Sequence, residues 1–413
     1  MKTHQMPKVL IVGNFSYSRA QGAHPCLGYA YALRDAGFSI EFLGGLMDET
    51  GIRPDFQQFP CHFSPDRCLL KGWRAAFRNL SAYQHHLLKW LEQVPAAQYS
   101  AVIADPGCGA TVMFLLKLRR LCLAKSWKLA LAIMEWQRYW RYGSSRARDS
   151  LLCAIDTEIQ IRFVNKRFRN IIAVSSYLER YYRKSGCNVI RVPPLIDARA
   201  EKWHCQSIMP PPKQDLTLLF SGAWVRDRLD LVIEAVQHLR RDGRNIVLEF
   251  LGPQAKDLGR NPKLQKLISQ GPPDALKFHG WVPSERALPI AASADFGITL
   301  RDRARWSDAC FPCKVAEFQA LGVPLLCNLT SDLDQVLKNG DNALIVPRVS
   351  VAALIHAIQR ALALTPPQRE RMRRCSLQCA DAYFDYRRYI GPLSEFVNNG
   401  CQRTPIHAHN VCY

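Results

Sequence analysis

The chain has 413 residues, 48% of them hydrophobic and 22% charged, which excludes a predominantly disordered protein and supplies material for two or three cores. Lys and Arg number 55 against 35 Asp and Glu, a formal charge of +20, which excludes an acidic solvating protein. That balance points to an anionic partner: phosphate, nucleic acid or a membrane surface. The excess is uneven, since residues 1–200 hold 28 basic and 14 acidic side chains and Lys117–Arg191 alone holds 17 and 5.

No apolar run reaches the ~18 residues of a spanning helix. Val112–Ala124 is broken by Lys117, Arg119 and Arg120, and Val9–Val12 is too short for a signal-peptide core. The expectation is a cytoplasmic chain whose 15 cysteines are mostly reduced.

Lys8–Gly13 is a continuous apolar run ending in glycine, the pattern of a buried parallel strand. Leu27–Ala36 has helical spacing and stops at Gly37, and Phe38–Leu43 predicts the next strand, completing a βαβ unit. Leu70–Trp90 is amphipathic, with Trp73, Phe77, Leu80, Tyr83, Leu87 and Trp90 on one side and Lys71, Arg74, Arg78 and Lys89 on another. It reads as a helix on the sheet, or as an interfacial helix contacting an anionic membrane. Ser100–Ala104, Leu129–Met134 and Asn170–Val174 continue the strands.

Pro193-Pro194 and Pro210–Pro212 predict an interdomain linker. A second alternation follows: strands Leu216–Ser221, Ile246–Leu251, Leu276–His279, Asp295–Leu300, Val323–Cys327 and Ala343–Val346, with a helix over Leu229–Arg241. The fold class is α/β, with two doubly wound parallel units; ligands of such sheets bind at the carboxyl ends of the strands.

Phe311–Pro324 is the most informative segment. Lys314 and Glu317 sit three apart at a helix start, so they share a face; amides there and the lysine favour an anion, while the glutamate suits sugar hydroxyls. The alternative is a surface ion pair of little consequence. Cys310-Phe-Pro-Cys313 has no second pair for zinc and reads as two incidental thiols. Asp332-Leu-Asp334 could suggest a metal, but helix capping by Ser331 or Asp332 accounts for it better, and no metal site is expected.

Pro312-x-Lys314-x-x-Glu317-Phe318, followed by Gly322-Val-Pro324, resembles the P-x-K-x-x-E-[YF]…G-x-P signature of retaining, nucleotide-sugar-dependent glycosyltransferases of family 4 type. Residues 171–197, 218–235, 250–252, 278–281 and 294–297 agree in order, so the resemblance is good over about 170–350 and weak before 45. It implies a GT-B fold, two Rossmann-like domains facing a cleft: residues 1–196 on the acceptor side, 197–385 binding the donor, and 386–413 a C-terminal helix and tail crossing back.

The resemblance also implies roles. The donor site comprises Gly222, Arg226, Arg228, Gly252, Trp281, Pro312, Lys314, Val315 and Glu317. Arg226, with Arg228 as the alternative, takes the loop-lysine role. Lys314 and the Val315–Ala316 amides neutralise the leaving diphosphate, Glu317 holds the ribose, and Trp281 packs on the base or in the core. Gly13, Gly22, His24, Asp105 and Glu135 face the acceptor, with Glu135 as a candidate base; Arg226, Lys314, Glu317 and Glu135 make the catalytic set. The first glutamate of the family's E-x7-E pair falls on Ala309.

The implied activity is hexosyl transfer with retention, from a nucleotide-diphosphate sugar to a glycan, lipid-linked or other hydroxyl acceptor in envelope or exopolysaccharide synthesis. No cofactor is implied, and peripheral contact with the inner membrane face is expected. Two competing readings are a basic nucleic-acid binder, suggested by Tyr139-Trp-Arg-Tyr142 without any recognised signature, and a non-catalytic GT-B relative.

Overall fold

The structure, a computed structural model, describes residues 6–15, 17, 25–45, 51–63, 73–107, 110–136, 154–204, 215–272 and 274–400. Gly22, His24, Pro210–Pro212 and Tyr139–Tyr142 lie outside the described residues.

The first sheet contains β1 (Lys8–Val12), β2 (Ser39–Leu43), β3 (Cys61–His62), β4 (Ala101–Ala104), β5 (Lys128–Ile133), β6 (Asn170–Ala173) and β7 (Asn188–Arg191). Their order is β3-β2-β1-β4-β5-β6-β7, and every pairing is parallel. The second contains β8 (Leu216–Ser221), β9 (Ile246–Leu251), β10 (Leu276–Gly280), β11 (Phe296–Thr299), β12 (Leu325–Cys327) and β13 (Ala343–Ile345), in the order β10-β9-β8-β11-β12-β13. Helices cover both faces, which is why the central strands are apolar on both sides: Val9, Leu10, Ile11 and Val12 are all buried.

Each sheet reverses its strand order once, between β1 and β4 and between β8 and β11. Loops leaving neighbouring strands diverge there and open a crevice at the carboxyl edge. The loops after β4 and β5 carry Asp105 and Glu135, and those after β8 and β11 carry Gly222–Arg228 and Arg301.

The amphipathic helix spans Trp73–Gln93. Leu70 and Lys71, and the side chains of residues 73–81, lie outside the described residues. In the rest, Leu87, Leu88 and Leu91 enter the core and the Tyr83 hydroxyl donates to the Gly13 carbonyl at 2.9 Å, so this part packs on the sheet.

Among the described residues, contacts at the C-terminus and contacts near the cleft join the halves. At the C-terminus, Tyr386, Leu393, Phe396 and Val397 pack into the first domain's core, and the Tyr386 hydroxyl reaches Asp35 at 2.7 Å. Nearer the cleft, the Ser175 hydroxyl donates to the Ala309 carbonyl at 2.8 Å. Asp332 accepts from the Ser176 amide at 2.8 Å and its hydroxyl at 2.5 Å, and pairs with Arg191 at 3.2 Å. Asp332 therefore caps the Ser176–Arg183 helix of the opposite domain; it makes no side-chain cap on its own Leu333–Val336 helix, contrary to the sequence reading. Asp332→Ala strips these partners from a buried position and is expected to lower unfolding free energy by about 3 kcal/mol, read as a drop in the urea midpoint.

Candidate active site

A cavity of about 240 Å³ lies between the domains, lined from the first by Asp105, Glu135 and Gln160 and from the second by Arg226, Cys310 and Cys313. A separate, narrower recess lies in the second domain, lined by Ser221, Asp227, Thr299, Arg301, Pro312 and Lys314.

The loop after β8 turns through Gly222, whose φ of +104° is strained for any residue with a side chain. Of its two arginines, only Arg226 faces the cleft. Its guanidinium pairs with Glu135 across the domain boundary and donates to the Cys310 sulfur at 3.4 Å. Arg228 is committed elsewhere: two bonds of 2.9 and 3.0 Å to Asp230 and one of 2.9 Å to Asp302 tie the loop to the end of β11. Those carboxylates hold its pKa above the ordinary arginine value. Arg228, the alternative read from sequence for the donor contact, holds the loop in place through these two carboxylates.

Lys314 opens the Lys314–Ala320 helix, and its ammonium donates to Glu317 Oε2 at 2.8 Å. The glutamate is buried and the lysine, which lines the recess, is half-buried, so the pair is not a solvated surface bridge. The amides of Val315 and Ala316, assigned from sequence to the diphosphate, donate instead to the carbonyls of Pro312 and Cys313 at 3.0 and 3.1 Å. Anion-holding capacity thus rests on side chains.

Sequence reasoning missed Arg301. It follows β11 at the switch point, with its side chain only 14% exposed. Its Nε lies 3.5 Å from Asp227, whose carboxylate also accepts from Thr299 at 2.6 Å. Its Nη1 is buried without a hydrogen-bond partner among the described residues. A buried guanidinium with an unused donor is costly unless something accepts from it. Arg301 and Lys314 line the recess and Arg226 lines the cavity, and all three lie near the Cys310–Cys313 segment. Burial holds both thiols above their ordinary pKa, Cys313 at about 12, and neither is poised as a thiolate.

On the opposing wall, Asp105 accepts from the Gly107 amide at 2.9 Å. Burial, reinforced by Glu135 and opposed by that hydrogen bond, pushes its carboxyl up to about 6. Because the folded value lies above the unfolded one, the native state holds this proton more tightly. The resulting stability is present at low pH and is lost as pH rises through about 6. Between about pH 4 and pH 8 the wild type is expected to lose roughly 2 kcal/mol relative to Asp105→Asn, checked by urea unfolding of both proteins.

Gly13 does not line the cavity; a Cβ there would stand 2.7 Å from the Phe15 ring and 3.3 Å from Asp105, so its place is close packing under the site. Trp281 is 66% exposed beside Gly252, which leaves core packing out as its role. Ala309 is fully buried at the domain contact, with its carbonyl held by Ser175, so the position of the first family glutamate is closed in this arrangement.

Two facing Rossmann-like domains with a cationic recess on one wall and carboxylates on the other define a GT-B architecture. Residues 215–363, within the second domain, match the family described as Glycosyl transferases group 1. No curated protein matches the chain in sequence. Among solved structures, sucrose-phosphate synthase from Thermosynechococcus elongatus superimposes with a TM-score of 0.67 at 14% identity, over 94% of this chain and 98% of that one. Anabaena Alr3699/HepE in complex with UDP and glucose gives 0.64 at 12% identity, over 96% and 100%. At these identities the likeness establishes the fold.

Proposed function

We propose that the protein is a retaining glycosyltransferase that moves a hexosyl group from a nucleotide-diphosphate sugar to a hydroxyl acceptor, a glycan or a lipid-linked sugar, in polysaccharide synthesis at the inner face of the membrane. The observation that carries this reading is the placing of Arg226 in the interdomain cavity and of Arg301 and Lys314 in the recess of the second domain. The Arg301 guanidinium has an unused donor, and Glu135 and Asp105 line the cavity from the other domain. The Alr3699/HepE complexes with UDP and with UDP-glucose support UDP as the first nucleotide to test.

The chemistry follows the charge. Breaking the bond from the anomeric carbon to the diphosphate leaves negative charge on the diphosphate and positive character on the sugar. Fixed cations in a site partly closed to water stabilise that state. Lys314 and the forked donors of Arg226 and Arg301 take the phosphate oxygens; Glu317 then accepts from the ribose hydroxyls, and exposed Trp281 offers a face to the base. The acceptor oxygen bonds to the anomeric carbon on the face the diphosphate leaves, and its proton has a carboxylate at hand in Glu135. No step in this scheme calls for a cofactor.

In the structure these charges are satisfied by one another: Arg226 by Glu135, Lys314 by Glu317. The donor's diphosphate replaces these partners. Thermal stabilisation by a panel of UDP-, GDP- and ADP-sugars, with slow release of nucleotide in the absence of acceptor, tests the reading. A panel giving neither effect defeats it.

A further inference from the structure

The helix Val112–Ala124 and the helical segment 154–168 lie side by side on the first domain. The Val112 amide donates to Asp156 at 3.2 Å, Gln160 donates to the Ala110 carbonyl at 2.9 Å, and Arg119 donates to the Arg167 carbonyl at 2.9 Å. Three ties along their length fix the pair as one face. Inward, Phe114, Leu115 and Leu118 enter the core, while Thr157, Gln160 and Ile161 line the interdomain cavity.

Outward, the same pair is apolar where a solvated surface would not be. Met113 is 62% exposed and Phe163 63%, with Ile155 and Ile159 also exposed. Ile155, Ile159 and Phe163 are four residues apart and form one stripe, with Met113 beside its start. These are four of the nine exposed large hydrophobics among the described residues, so the concentration is not the scatter of an ordinary surface.

Cations surround the stripe. Lys117 and Arg120 are exposed on the first helix, and Arg167 and Arg169 at the end of the second. The Arg119 pKa is lowered by burial and then by Arg167 and Arg169, a cluster of like charge. None of these five makes an ion pair with a carboxylate among the described residues. The nearby acids are committed: Asp156 to the Val112 amide and Gln160, Glu158 to Arg162 and Trp136.

We infer that this two-helix face docks on an anionic lipid bilayer. Met113, Ile155, Ile159 and Phe163 insert at the headgroup boundary, and Lys117, Arg119, Arg120, Arg167 and Arg169 lie against the lipid phosphates. Apolar insertion beside unpaired cations is the combination that an anionic bilayer satisfies in one contact. Nucleic acid would use the charge and leave the apolar stripe in water. The inference rests on the proposed glycosyltransferase reading in one respect: the opposite side of the 154–168 segment lines the cleft, so docking sets the acceptor wall of the site close to the bilayer, where a lipid-linked sugar would present its hydroxyl.

The test is flotation of the full chain with phosphatidylcholine vesicles, with and without phosphatidylglycerol. The wild type is expected to float with the anionic vesicles only, and less so as salt rises. Lys117→Glu/Arg120→Glu should weaken this by at least about thirtyfold, from roughly 1 kcal/mol per removed cation near the surface. Ile159→Ser/Phe163→Ser should weaken it at least tenfold. All of these side chains are exposed, so the thermal midpoint should hold, and the nucleotide-sugar thermal shift serves as a separate readout of the donor site. In Phe163→Trp, anionic vesicles should shift the indole emission to the blue. Absence of wild-type flotation, equal flotation of the variants, or a wild-type dimer made monomeric by Ile159→Ser/Phe163→Ser would overturn the inference; the last outcome would assign the face to a second copy. Vesicle binding without any nucleotide-sugar response would leave this inference standing and remove the enzymatic reading, and the reverse pattern would do the opposite.

Discussion

Lys314→Ala is expected to lower kcat/KM for transfer by about 10²–10³-fold, with most of the loss in kcat. The ammonium lies at the mouth of the recess, 2.8 Å from Glu317 and within reach of the loop that turns at Gly222. Its charge matters most when the diphosphate departs, because the donor already carries part of that charge in the ground state and gains more as the glycosidic bond breaks. Glu317→Gln separates the roles: it should weaken nucleotide binding while leaving most of the rate at saturating donor. Arg301→Gln shortens the side chain and removes the buried charge beside Asp227, and it should lower kcat in the same direction as Lys314→Ala. Steady-state kinetics over a range of donor concentrations distinguish the three. A Lys314→Ala enzyme with unchanged kcat would remove the lysine from the mechanism.

Arg226→Ala and Glu135→Gln are expected to move donor affinity in opposite directions, the second large effect. These two residues pair with each other across the cleft. Removing the arginine takes a bidentate donor from the diphosphate, a loss of about 2–3 kcal/mol or 30- to 150-fold in donor affinity. Removing the carboxylate's charge frees the arginine from its competitor, so Glu135→Gln should bind the nucleotide sugar several-fold more tightly than the wild type. Transfer by Glu135→Gln should nevertheless fall, because a carboxylate facing the acceptor has been lost. Calorimetric titration with the stabilising nucleotide sugar, paired with initial rates, reads both signs. Weaker donor binding in Glu135→Gln would show that the bridge assists the site instead of competing with it.

Much of the fold was legible in the sequence because parallel strands buried on both faces leave unbroken apolar runs. β8 and β9 occupy the segments read from Leu216–Ser221 and Ile246–Leu251, each closed by a glycine that the turn requires. β3 and β7 were not read. Both are edge strands: β3 has two residues, and β7 is exposed at Asn188, so neither presents the pattern of a central strand. The Lys314–Glu317 pair was visible because its partners are three residues apart on one helix.

The remainder of the site depends on distant partners that no local pattern reports. The choice between Arg226 and Arg228 turns on Glu135 from the other domain and on Asp302, 74 residues beyond Arg228. Arg301 owes its setting to Asp227 and to the closure of the loops around it. The one available signal was its place, two residues past a strand at the sheet's switch point. Asp332 looked like a local helix cap because its true partners, Ser176 and Arg191, lie more than 140 residues earlier and come near only when the domains meet.

The central claim is that the second domain's cations receive the diphosphate of a nucleotide sugar inside the cleft. A crystal structure of the protein with the nucleotide sugar that stabilises it most tests this directly. The account predicts phosphate oxygens within hydrogen-bond distance of Lys314, Arg226 and Arg301, with the Arg226–Glu135 bridge opened and the ribose on Glu317. A nucleotide bound elsewhere, or lying in the cleft with those three side chains still engaged only with Glu317, Glu135 and Asp227, would contradict it.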